Sequence, residues 1–278
     1  MLTRQKILLW FRQKVRHPTD TKLMKLMFLT KIESSVDELT PFYDFMPYQF
    51  GPFSYIVRKD IRLADEGVIC DEKIELTDEI MNELTRIFRQ YGQWSQDKLM
   101  EHVYNEYPYF AIRSKVKARY LRNETQLPRL RATQTFLNTI HYEERNIDTF
   151  INKLINKKID VLVDVRRNPV SMKYGFRKGS LERYAEAHGF GYLHLPELGI
   201  EKEERDELNV QNDYEELFDK YEKTTLRQAK GALASIEGLI LGGKRVALLC
   251  FEKEPSCCHR TRIANKIANR LSVPVCHL

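Results

Sequence analysis

Residues 135–168, TFLNTIHYEERNIDTFINKLINKKIDVLVDVRRN, decide the architecture of the second half of this 278-residue chain. TFLNTIHY (135–142) has the apolar content of a strand, while Ile147, Phe150, Ile151, Leu154 and Ile155 recur at helical spacing. IDVLVDVR (159–166) is short and rich in Val, and reads as a second strand. Strand, helix, strand within about thirty residues is a βαβ unit, with parallel strands and a right-handed crossover. The alternation continues through FGYLHLP (190–196), a helix from about 211 to 238, the strand RVALLCFE (245–252), a helix starting near Cys258 and the closing strand VPVCHL (273–278). An α/β domain with a mainly parallel sheet is expected over 135–278.

Upstream the rhythm differs. Ile7, Leu8, Trp10, Phe11 and Val15 mark one helix, ended by Pro18 with Thr19 and Asp20 as break and cap; Leu23, Leu26, Met27 and Ile32 mark a second. Residues 41–54, PFYDFMPYQFGPFS, crowd aromatics with Pro and Gly; residues 54–66 read as a third helix, and GVICDEKIELT (67–77) as two short strands around an acidic turn. Three helices and a hairpin are the order of a winged helix, and Thr77–Tyr91 and Gln96–Tyr104 add helices. The expectation is a mainly helical, winged-helix-like domain over 1–122, a linker over 123–134 (NETQLPRLRATQ), and the α/β domain from 135. The segment Tyr48–Ser54, followed by Asp60, Leu63 and Gly67, resembles the Tyr-x-x-Gly-Pro-Phe-Ser turn of small helical regulators and antitoxin-associated domains; the resemblance implies shape rather than chemistry.

Composition narrows the classes. With 42% apolar residues, 12 Gly and 10 Pro, the chain is neither disordered overall nor fibrous. No run approaches the apolar length of a membrane span, the first residues lack a signal-peptide pattern, and five cysteines fit a reduced cytoplasm better than a disulfide framework. No membrane partner is expected. Net charge is +6, yet Arg113, Lys115, Lys117, Arg119, Arg122, Arg129 and Arg131 against Glu124 give one short stretch the same excess. This is a candidate nucleic-acid contact, DNA more than RNA, set against the plainer reading of a solvated helix face.

In parallel sheets ligands sit beyond the carboxyl ends of the strands. The strand over 159–163 ends in Asp164, Arg166, Arg167 and Asn168, and the strand over 246–249 in Cys250, Glu252, Pro255, Cys257, Cys258, His259 and Arg260. If the two are neighbours, Asp164 and Glu252 form a carboxylate pair, with Cys258 and His259 at a helix N-terminus as further catalytic candidates. Arg166 and Arg260 are expected to grip one phosphate; Arg167, Ser171, Lys173 and Arg177 extend that anion site on a basic loop, and Tyr142 offers a ring for a base. Cys250 reads equally as a small core residue or a nucleophile, and His194 as a core histidine. Cys250, Cys257, Cys258, His259, Cys276 and His277 hold enough soft donors for zinc, but one crowded cluster plus a chain end is not the paired spacing of a zinc hairpin, so no cofactor is expected.

The segments LVDVRRNPVSMKYGFRKGSL, YLHLPELGI and ALLCFEKEPSCCHR, with IHYEERNIDTF and the closing strand, resemble the family catalogued as domain of unknown function 488. Its signature positions fall on Tyr142, Asp164, Arg166, Pro169, Ser171, Phe176, His194, Pro196, Glu197, Leu198, Gly199, Cys250, Glu252, Pro255, Cys258, His259 and Arg260; His141 stands where relatives commonly carry Gly. The resemblance implies a shared fold and crevice but no reaction. The leading expectation is a nucleic-acid-associated enzyme acting on a nucleotide or base by N-glycosidic or related hydrolysis, in DNA repair or phage defence. The alternatives are a ligand-sensing DNA-binding regulator or antitoxin-like module, which is expected to be a homodimer, and a thiol redox protein using Cys250 and Cys258.

Overall fold

The computed structural model describes the chain except residues 71–73, 131, 133, 202–203 and 205–210, and describes only the backbone of 211–214. It divides into two compact units, Met1–Arg129 and Leu130–Leu278.

The first unit contains helices α1 (Thr3–Lys14), α2 (Asp20–Glu33), α3 (Val36–Leu39), α4 (Tyr55–Asp65), α5 (Asp78–Ile87), α6 (Gln96–Glu106) and α7 (Lys117–Tyr120). α2 runs through its core, with Leu26, Met27, Phe28 and Leu29 all buried. Phe28 meets Phe45, Tyr107 and Phe110 edge to face. Strands β1 (Met46–Tyr48) and β2 (Gly51–Phe53) form a hairpin before α4. The sequence reading placed its hairpin after α4, over 67–77. There the described residues, 67–70 and 74–77, form no strand, and the acidic turn at 71–73 lies outside the described residues.

The Tyr48–Ser54 motif is this hairpin. Gly51 has φ +85, and a Cβ there would stand 2.5 Å from the Tyr104 ring. Buried Lys25 donates to the carbonyls of Phe50 (2.6 Å) and Pro52 (2.9 Å), and the Ser54 hydroxyl caps α4 by accepting from the Val57 N–H. Asp60 is buried and accepts from Arg4, Gln5 and Tyr43, tying α4 to α1.

The second unit is the expected α/β domain. Its strands β3 (Leu137–His141), β4 (Val161–Asp164), β5 (Gly191–His194), β6 (Val246–Cys250) and β7 (Val275–His277) form one sheet in the order β5-β4-β6-β3-β7, every pair parallel. The helices are α8 (Ile147–Asn156), α9 (Lys178–His188), α10 (Gln211–Lys223), α11 (Thr225–Gln228), α12 (Lys230–Leu241) and α13 (His259–Leu271). The single helix expected over 211–238 is broken at Thr224 and Ala229. Leu226 follows Tyr221 by five residues, well off its face in a straight helix, and the breaks allow both to be buried. The basic loop after β4 is shorter than expected because α9 takes over at Lys178, burying Leu181, Tyr184, Ala185 and His188 at helical spacing.

Candidate functional site

β4 and β6 pair directly, Asp164 opposite Leu249, and β6 pairs with β3, Cys250 opposite His141. The loops leaving β3, β4 and β6, with the turn after β5, surround a crevice of about 460 Å³ lined by Tyr142, Arg166, Arg167, Asn168, Val170, Ile200, Glu201, Cys250, Phe251 and Glu252. Its place, beyond the carboxyl ends of the central strands, is where the sequence located a ligand site.

The arrangement of side chains differs from the expected one. Along β4, Val161, Val163 and Val165 face the core shared with Leu248, Cys250 and Cys258, whereas Asp164 alternates to the other face. There its buried carboxylate accepts from Arg166 Nε (2.8 Å), Arg166 Nη2 (2.6 Å), the Arg166 N–H (3.1 Å) and the Tyr192 hydroxyl (2.7 Å). Glu252 instead reaches the sulfurs of Cys250 and Cys258. Asp164 and Glu252 are therefore not a carboxylate pair. Asp164 positions Arg166, which also donates through Nη1 to the Tyr142 hydroxyl and the Phe176 carbonyl, both at 3.0 Å.

Four N–H donors of Arg166 are thus spent within the protein, which leaves little for a phosphate. Arg260 does not join it. It is buried outside the crevice lining and donates to the carbonyls of Glu252 and Lys253, bracing the loop after β6. Tyr142 is also committed: Phe176 stacks on its ring at 4.4 Å, Arg166 lies 5.1 Å from its centre, and the residue is buried, so it is not an open platform for a base. The basic loop is pinned rather than loose. Phe176 is buried, Lys173 donates to the Tyr142 carbonyl (2.8 Å), and Arg177 donates to the Ser171 carbonyl (3.1 Å).

Arg167 is the exposed guanidinium of the crevice, paired with Glu201 at 2.7 Å in solvent. Phe251, 43% exposed, adds an aromatic ring that the sequence motifs do not single out. Its signal was present, since it follows Cys250 out of a strand that is buried throughout. Gly199 lets the turn after β5 approach this wall: a Cβ there would fall 2.1 Å from the Arg167 nitrogen.

The inner end of the crevice is a thiol, carboxylate and imidazole cluster. Cys250 and Cys258 each place Sγ 2.9 Å from the same oxygen, Glu252 Oε2, and His259 Nδ1 lies 3.7 Å from Cys250 Sγ. His259 opens α13 directly after the Cys258 N-cap, and its Nε2 meets the Val165 carbonyl at 3.0 Å. Burial opposes ionisation of Cys250, but the Cys258 hydrogen bond and the neighbouring His259 pull its thiol well below the usual range. Burial, followed by the charge on Cys250, pushes Glu252 up; burial and then contact with Cys250 push Cys258 up. His141 pairs with Cys250 across β3 and β6 but is not among the clustered donor atoms. Burial, with Arg145 and Arg260 nearby, pushes its pKa down to about 4, leaving it neutral at ordinary pH. His194 accepts its expected structural role, its Nε2 donating to the Arg166 carbonyl at 2.9 Å.

In the first unit the basic stretch is partly neutralised by α6. Arg119 pairs with Asp97 (2.9 Å) and Arg122 with Glu101 (3.1 Å), both in solvent. Arg113, Lys115 and Arg129 are exposed and Lys117 is half-buried; Arg131 lies outside the described residues.

The fold defines the second unit as a parallel α/β domain with a crevice at the carboxyl ends of its strands. Residues 146–267 match the family model described as Domain of unknown function DUF488. The match begins after β3 and ends before β7, although both strands complete the same sheet. No curated protein and no solved structure matches the chain. Among the described residues, no helix is long and apolar enough to cross a membrane.

Proposed function

We propose that the crevice is the active site of a nucleic-acid-associated enzyme that hydrolyses a nucleotide or a nucleotide-borne bond, of the N-glycosidic or a related kind. The observation that supports this most is the composition of one strand-end crevice: an exposed guanidinium and an exposed ring, Arg167 and Phe251, beside Glu252 and Cys250. Arg167 exchanges Glu201 for a substrate phosphate, and Phe251 stacks on the base. Glu252 is the proton-transfer group, since it lines the crevice and burial, followed by the charge on Cys250, raises its pKa in the direction a general acid needs. The exposed basic residues of the first unit, in its winged-helix-like role, hold the nucleic-acid backbone.

A second reading, a ligand-sensing DNA-binding regulator or antitoxin-like module, is favoured by the sealing of Asp164 by Arg166, because a binding crevice needs no second carboxylate. Turnover separates the two. Nucleotides, single-stranded DNA and duplex DNA are assayed for released base or sugar with wild type and Glu252→Gln. The enzyme reading expects turnover that falls at least about 100-fold in the variant. Turnover unchanged in Glu252→Gln removes Glu252 from the chemistry, and nucleotide binding without turnover favours the sensor.

A further inference from the structure

We infer that Cys250, Cys258, His259 and Glu252 bind one zinc ion. Two sulfurs, one imidazole nitrogen and one carboxylate oxygen lie within 4.8 Å of one another. Zinc–ligand lengths of about 2.0–2.3 Å in a tetrahedron put donors about 3.3–3.8 Å apart. The 3.7 Å from Cys250 Sγ to His259 Nδ1 falls within that range, and the 2.9 Å from each sulfur to Glu252 Oε2 lies just short of it.

The orientation of His259 is a second, independent observation. A carbonyl oxygen only accepts, so at Val165 the imidazole Nε2 must carry the proton and donate. In the neutral ring this leaves the lone pair on Nδ1, the atom facing Cys250. A ligand histidine whose remote N–H is held by a backbone carbonyl is the usual second-layer arrangement around a metal.

Burial is the third. Cys250, Cys258 and His259 are each 1% exposed, and both thiols converge on a single carboxylate oxygen in a wall of Val165, Leu248 and Ile263. Packing so many ionisable groups into apolar surroundings is costly without a compensating charge, which a divalent cation supplies. Two thiols with an imidazole suit zinc rather than magnesium or calcium.

The site is built before any ion arrives. Cys250 ends the central strand β6, while Cys258 and His259 begin α13. Arg260 bonds to the Glu252 and Lys253 carbonyls, and Thr261 to the Pro255 carbonyl (2.7 Å), clamping the intervening loop to the helix. Spacing rules written for paired zinc hairpins miss this, because the donors come from a strand end and a helix start. Cys250 and Glu252 line the crevice, so the ion lies at its inner end with all four tetrahedral positions held by protein side chains, as in structural zinc sites. The inference goes beyond the hydrolase reading and shares Glu252 with it, the carboxylate whose Oε2 meets both sulfurs.

The test is metal uptake by the full chain, purified with a non-thiol reductant and stripped of metal. Cobalt(II) titration is expected to saturate at one equivalent per chain, with a sulfur-to-cobalt charge-transfer band and the intense visible bands of a tetrahedral site. Zinc abolishes the spectrum by displacement, and excess magnesium leaves it intact. Cys250→Ser and Cys258→Ser, checked by far-UV circular dichroism, lose stoichiometric uptake, whereas Cys257→Ser keeps it. Glu252→Gln leaves two sulfurs and the imidazole, so cobalt uptake weakens while the two-sulfur charge-transfer band persists at saturating cobalt; turnover lost at that saturation bears on the catalytic reading and not on this one.

A sub-stoichiometric or octahedral cobalt spectrum, or one unchanged in Cys258→Ser, overturns the inference. So does a Cys250–Cys258 disulfide that forms in the presence of stoichiometric zinc. If the serine variants do not fold, wild-type melting decides: a midpoint raised by zinc and unmoved by magnesium supports the site, and identical midpoints overturn it.

Discussion

Asp164→Asn tests whether Asp164 is a positioning group. The carboxylate accepts four hydrogen bonds, two on each oxygen. Asparagine keeps one acceptor oxygen and turns an NH2 toward Arg166 Nη2 and the Tyr192 hydroxyl, both donors. Arg166 is then left charged, 5% exposed and without its counter-ion. Breaking a buried pair by removing one partner costs about 3–5 kcal/mol. At about 2–4 °C per kcal/mol for a domain of this size, the melting midpoint should fall by at least about 6 °C. Calorimetry of the full chain measures the loss, and hydrogen exchange of peptides covering β4 and β5 locates it. The double variant Asp164→Leu, Arg166→Met removes both charges together and should lose less than Asp164→Asn alone, because no charge remains buried. A midpoint lowered by less than about 2 °C in Asp164→Asn, with turnover abolished, would refute the positioning role and return Asp164 to the chemistry.

Three further outcomes follow from the geometry. Burial pushes the Lys25 pKa down to about 7, so between pH 7 and pH 10 the unfolded chain binds a proton that the folded chain does not. Stability should therefore rise with pH in that window and lose this dependence below pH 7. Relative to Lys25→Met, wild type should gain about 1.4 kcal/mol per pH unit in denaturant titrations from pH 7 to 9; a flat difference would mean that Lys25 stays charged inside. Gly199→Ala drives a methyl against the Arg167 backbone at 2.1 Å, so a stability loss of about 1–3 kcal/mol and weaker nucleotide binding are expected, measured by melting and calorimetric titration. Phe251→Ala should weaken binding of a nucleotide by about 1–3 kcal/mol while leaving inorganic phosphate binding unchanged; equal loss for both ligands would show that the ring does not stack.

Much of the second unit was legible from local pattern. β4 and β6 were marked by short Val- and Leu-rich runs, the other strands by short apolar segments between turns, and α8 by its apolar stripe, because strand and helix periods are written in neighbouring residues. The crevice followed from the rule that polar residues at parallel strand ends converge. α9 was legible too, in Leu181, Tyr184, Ala185 and His188, but the Gly and Lys before it suggested a loop. The hairpin of the first unit was misplaced because Val68, Ile69, Ile74 and Leu76 look like strand residues. The hairpin formed instead around Gly51, where a positive φ and the donated bonds of Lys25 make the turn.

What sequence alone determined is therefore the succession of strands in the second unit, their parallel sheet and the position of the crevice, all of which depend on local periodicity and connection rules. Tertiary structure decided which polar groups meet. Alternation along β4 sends Asp164 to the face opposite Cys250, where Arg166 seals it, and the register of β6 against α13 gathers Cys250, Glu252, Cys258 and His259 instead. Side-chain direction changes with every strand residue and packing selects the face, so two carboxylates that look equivalent along the chain acquire different partners in the fold.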